Sequence, residues 1–148
     1  MHNIISYPLA LLLCCFLTLP AAAQTEDCID YAAPIATAAR LLAVSVTTTA
    51  DALVALNKRA NESEISSFDS FVADADKRAR DLARTLDEKQ RTIMEQAEKT
   101  TDYTLCKQDL SEALADLKKE MTKAKAMLIE LKAAIKDILD QLKGAFFG

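Results

Sequence analysis

Glycine is absent between residues 24 and 143, and the only proline in that stretch is Pro34. Left-handed turns recruit glycine and helix interiors exclude proline, so such a stretch is expected to be helical almost throughout. Tryptophan does not occur, and the single histidine is His2. Beyond the first residues there is thus no imidazole for a Ser/His or Cys/His catalytic device or for a histidine metal site, and no glycine-rich phosphate loop. Carboxylate neighbours exist, Asp74 with Asp76 and Asp87 with Glu88. Acids that close on a helix diverge, and they read as solvated surface rather than as an acid/base dyad. The expectation is a non-enzymatic chain with no metal and no cofactor.

Long apolar runs are confined to the amino terminus. Residues 9–19 are apolar but for Thr18, and Pro20 and Ala21-Ala22-Ala23 follow. That is the layout of a secretory signal, too short for a permanent anchor, with cleavage expected before Gln24. Cleavage before Cys14 or Cys15, as in a bacterial lipoprotein, would need a small residue where Leu13 stands. The expected organisation is a cleaved signal over residues 1–23 and one domain over residues 24–148. The protein is expected outside the cell, or in the periplasm if the source is bacterial.

Four cysteines become two on cleavage, Cys28 and Cys106. In an exported chain an even pair reads as a disulfide. The lack of Lys or Arg before the apolar run and the sequon Asn61-Glu62-Ser63 both lean towards eukaryotic export, with Asn61 a candidate glycosylation site. Net charge is −4, and the acidic excess lies between residues 24 and 76. That bias argues against nucleic-acid binding through phosphate neutralisation.

Periodicity divides the remainder into three helices. The first is expected over about residues 30–59, with Asp30 as cap and Pro34 tolerated in the opening turn. Its apolar residues cover more than one face, and the β-branched patch Thr47-Thr48-Thr49 suggests a kink or split. Asn61 and Glu64 resemble a capping box that would start the second helix after a very short turn. The second stripe runs through Phe68, Val72, Ala75, Ala79, Leu82, Leu86 and Ile93. Asp76 with Arg80, Lys77 with Asp81, Arg84 with Glu88 and Asp87 with Arg91 are spaced for ion pairs on its outer side. Lys89 and Gln96 fall on the apolar seam, as a polar cavity, a register device or a fading stripe would place them.

Thr101 or Asp102 is expected to cap the third helix, and Gly144 to end it. Leu114, Met121, Leu128, Ile135 and Leu142 form one seven-residue series, and Leu110, Leu117, Ala124, Leu131 and Ile138 the other, the pattern of a coiled-coil seam. Short connections make the three helices an up-down-up bundle of antiparallel neighbours. Cys28 and Cys106 then fall at the same end, so topology and disulfide support each other.

Three further features bear on function. Lys118, Lys125 and Lys132, with Lys136 and Lys143, form a ridge interrupted by Glu120, Glu130, Asp137 and Asp140, which reads as an ordinary solvated flank. Phe146 and Phe147 suit either insertion into a partner or membrane, or folding back over the bundle end; the latter is expected. The alanines at 32, 33, 36, 38, 39 and 43 suit close helix packing first and an apolar ligand second. The leading expectation is a secreted binding protein acting on an extracellular macromolecular partner, such as in host interaction. A carrier of lipid or another apolar ligand is the alternative, and a self-associating coiled coil a further one. Both monomer and small homo-oligomer stay open.

Overall fold

The computed structural model describes residues 27–65 and 68–147. The expected signal over residues 1–23 lies outside the described residues. Three α-helices follow in order: α1 over Cys28–Glu62, α2 over Asp69–Lys99 and α3 over Tyr103–Phe147. No strand occurs among the described residues.

Cross-helix pairs fix the directions. Asp51 of α1 meets Arg80 of α2, and Asn61 meets Asp69, so residue numbers fall on α2 as they rise on α1. Arg78 and Lys89 of α2 meet Glu130 and Asp116 of α3 in the same inverse order. Cys28 and Cys106 are bonded at the starts of α1 and α3, with Cα atoms 5.6 Å apart. The result is an up-down-up bundle in which each helix packs against the other two.

Four boundaries differ from the sequence expectation. Asp27, not Asp30, caps α1: its carboxylate accepts the Asp30 N–H at 2.8 Å. The Thr47-Thr48-Thr49 patch does not split α1. Thr47 Oγ1 donates to the Ala43 and Val44 carbonyls at 3.2 and 3.0 Å, and Thr49 Oγ1 donates to Ser45 at 2.7 Å. These hydroxyls bond within their own helix, while Val46 and Ala50 hold the segment in the core.

Asn61 and Glu64 do not open the second helix; they close the first. Ile65 N–H donates to the Ala60 carbonyl and Glu64 N–H to that of Asn61, both at 3.2 Å, and Glu64 takes the left-handed conformation with φ 54°. That is a Schellman stop with glutamate where glycine is usual. Replacing Glu64 with Gly should therefore raise stability by about 0.5–1 kcal/mol, read as a higher midpoint in thermal unfolding. Finally, α3 does not end at Gly144 but runs on to Phe147, with no left-handed glycine at that point. Asp102 does cap α3, accepting the Thr104 and Leu105 N–H groups at 2.8 and 3.2 Å.

The core is asymmetric. Alpha-1 and α2 contribute mainly alanine, with Ala32, Ala39, Ala50, Ala75 and Ala79 fully buried, whereas α3 contributes Leu110, Leu114, Leu117, Leu131 and Ile138. Small residues let the first two helices approach closely and leave the filling to the third. Ala50→Leu should consequently lower stability by about 1–3 kcal/mol through overpacking, whereas Ala73→Leu, on the exposed side of α2, should change little; chemical unfolding separates them. A void between the helices would reverse the sign at Ala50, because leucine would fill it.

Candidate interaction surfaces

At the disulfide end the two tyrosines meet edge to face, Tyr31 against Tyr103 with centroids 6.0 Å apart. Lys107 Nζ lies 4.4 Å from the Tyr103 ring centroid. These contacts join the starts of α1 and α3 beside the bridge and turn the aromatic surface inward. This end is knit to itself.

The outward side of α2 is held by ion pairs. Asp76 with Arg80 and Asp87 with Arg91 form as the spacing suggests, at 3.0 and 2.6 Å, while Arg84 turns back to Asp81 at 3.0 Å. Arg80 also reaches Asp51 on α1 at 2.6 Å. Arg78 bonds Asp74 at 2.8 Å and grips Glu130 of α3 with both terminal nitrogens. Arg78's hydrogen bonds hold the Glu130 carboxyl below its ordinary range despite partial burial, and Glu130 in turn raises the guanidinium pKa. Lys89, on the expected apolar seam, instead bonds Asp116 of α3, which lowers the Asp116 pKa and raises that of Lys89. Gln96 is half-buried. Asp74 and Asp76 thus face different arginines, as diverging acids on a helix should.

Lys118, Lys125 and Lys132 are all exposed on α3. Lys132 borders a shallow depression with Leu128 and with Val44, Ser45, Thr48 and Thr49 of α1. Lys136 pairs with Asp140 at 2.9 Å.

The outward face of α1 is of another kind. Between residues 33 and 56 its exposed residues include only two charges, Arg40 and Asp51. Leu41 and Val44 are 63% and 57% exposed. By length and composition α1 could cross a membrane, yet only 28% of its most apolar stretch is buried in the bundle. The opposite side of the same helix carries Ala32, Ala39, Val46, Ala50 and Leu53 into the core. Apolar residues therefore occupy both sides, and among the described residues one side stays exposed.

The end remote from the disulfide is aromatic. Phe68 and Phe71 at the start of α2 border a groove of about 340 Å³ against Ala133, Ala134 and Ile138, with Glu130 and Asp137 at its rim. On the other flank of α3, Phe146 stands beside Leu56, Leu139 and Leu142. Phe146 and Phe147 do not fold back over the bundle; the helix carries them outward, 70% and 89% exposed. The reason is length: α3 runs 41 residues past the bridged Cys106 and α1 34 past Cys28, so at about 1.5 Å per residue α3 outreaches α1 at this end by roughly 10 Å.

Asn61 sits exposed in the last turn of α1, where its Nδ2 donates to Asp69 Oδ1 at 2.7 Å; Asn57 Nδ2 donates to the same oxygen at 2.6 Å. Two asparagines so anchor the first residue of α2, a role that the sequon gave no hint of. A glycan on Asn61 would occupy the nitrogen that makes this bond. Of the residues singled out from sequence, Cys28 and Cys106 are brought together, and Asn61 lies at the opposite end.

Comparison with protein-family models, with curated proteins and with solved structures finds no match to this chain.

Proposed function

We propose that this chain is a secreted, non-enzymatic binding protein that engages an extracellular macromolecular partner through its remote aromatic end. The reading rests on one observation above others: Phe71, Phe146 and Phe147, 42%, 70% and 89% exposed, gather at one end of a bundle whose α2 flank is closed by ion pairs. Exposed aromatic side chains on rigid helices bring large apolar area to an interface at small entropic cost. Export through the leader at residues 1–23 accords with a bridge between Cys28 and Cys106, since disulfides persist in oxidising compartments.

The test is capture from extracellular fluid with the oxidised protein and with a Phe71→Ser, Phe146→Ser, Phe147→Ser variant. These side chains are exposed, so the variant should melt with the parent. A partner retained by the parent and lost from the variant is the expected result; identical recoveries would sink the assignment of this end.

A second reading, a carrier of an apolar ligand, draws on the groove beside Phe68 and Phe71. Of the alanines of α1, Ala32, Ala36, Ala39 and Ala43 are packed into the core and lend it nothing, whereas Ala33 is half-buried and Ala38 exposed. A native mass spectrum of secreted protein carrying extra mass that leaves on denaturation would favour the carrier.

A further inference from the structure

We propose that the outward face of α1 is a self-association surface, on which a second copy of this chain packs antiparallel about a two-fold axis between residues 44 and 45. The inference is independent of the binding reading above and concerns another part of the surface.

The face is palindromic in spacing. Starting from Asp30, the outward residues are Pro34, Thr37, Leu41, then Val44 and Ser45 together; counting back from Arg59 gives Ala55, Ala52, Thr48 and the same central pair. Steps of four, three and four residues recur in both directions, so the helix reversed end for end presents the same seam. Every one of these residues is exposed. An antiparallel copy places Leu41 opposite Thr48 and Val44 opposite Ser45. Farther out, Thr37 faces Ala52 and Pro34 faces Ala55, pairs small enough for two helices to approach closely.

Charge selects both the partner and the orientation. The α1 residues of the seam are uncharged except at its ends, Asp30 at one and Arg59 at the other, about 44 Å apart along the axis, and Lys132 of α3 borders its middle beside Val44, Ser45 and Thr48. Among the described residues neither side chain is held in an ion pair. Antiparallel pairing sets Asp30 of each copy against Arg59 of the other, at both ends at once. Parallel pairing would set like against like. A two-fold arrangement of this kind closes on itself and gives a dimer rather than a filament. A single helix seam is narrow beside the roughly 1,200–2,000 Å² of stable interfaces, so the dimer should dissociate on dilution. The axis between residues 44 and 45 would also carry the two aromatic ends to opposite poles, giving one dimer two separated binding ends.

Sedimentation velocity of the secreted, disulfide-bonded protein across a range of concentrations tests this. The parent should pass from monomer to dimer as concentration rises. Val44→Glu should stay monomeric over the same range with unchanged circular dichroism and melting, since the site is exposed. Asp30→Arg or Arg59→Asp alone should weaken association about tenfold, as two attractive contacts per dimer become repulsive. The double variant should recover it. A parent monomeric throughout overturns the proposal, as does a Val44→Glu dimer. Failure of the double variant to recover excludes this register. A monomer that sediments with uncharged phospholipid vesicles and is released from them by Val44→Glu would give the face to a lipid surface instead, and also overturns it.

Discussion

Opening the Cys28–Cys106 bridge is expected to lower stability by about 4.5 kcal/mol, the chain-entropy value for a loop whose ends lie 78 residues apart. For a chain of this length that is a fall on the order of 15 °C in melting temperature. The bridge joins the first residue of α1 to the first turn of α3, helices that neither connection links directly. Beside it, the contact of Tyr31 with Tyr103 and Lys107 near both rings also join these two starts. Thermal unfolding by circular dichroism, with and without reductant and with Cys28→Ala/Cys106→Ala, checks the value. A shift under about 5 °C would mean that packing alone already holds this end closed. The loss should be local first: amides near residues 28–40 and 103–115 should exchange sooner than those near Leu53 or Leu131.

Leu131→Ala should cost about 3 kcal/mol, and Leu128→Ala no more than about half of that. Leu131 is wholly buried among the three helices, and its removal leaves a cavity that the alanine-rich faces of α1 and α2 are too small to fill. Leu128, three residues earlier, packs only against the margin of the core and faces the depression beside Val44 and Lys132. Guanidinium unfolding midpoints of the two variants give the comparison. Equal losses would restore the symmetric seam that the heptad pattern alone suggests.

That contrast shows how far periodicity reaches. The two seven-residue series of α3 are both real, yet they are not equivalent. Leu110, Leu117, Ala124, Leu131 and Ile138 are buried throughout; of the other series only Leu114 is, while Met121, Leu128, Ile135 and Leu142 are half-buried. In their stead Met127 and Ala134 turn inward. A coiled-coil seam meets one partner, whereas α3 meets two, so its buried stripe is broader than an a/d pattern and is shared unevenly along the helix.

The candidate interaction surfaces were legible in part. The charge-poor run in α1 was visible as apolar residues on more than one face, whereas the burial of the surplus depends on the neighbouring helices. The terminal phenylalanines were visible too, whereas their exposure depends on how far α3 outruns its neighbours. The clamp of Asn57 and Asn61 on Asp69 had no local signal, since it joins residues on either side of a turn.

Helical character, the number of helices and the pairing of Cys28 with Cys106 follow from local chemistry: the missing glycine and proline, the 3.6-residue repeat, and two cysteines placed at one end by short turns. Turn chemistry and register needed the neighbours. Asn61 and Glu64 suit the start of a helix as well as its stop, and the stop prevailed because Ile65 could then bury against the core while the Ala60 carbonyl gained its N–H. Lys89 suits a core interruption as well as a flank, and Asp116 on another helix made it a flank. A residue's own preferences span less than about 1 kcal/mol, and a contact made across the bundle outweighs them.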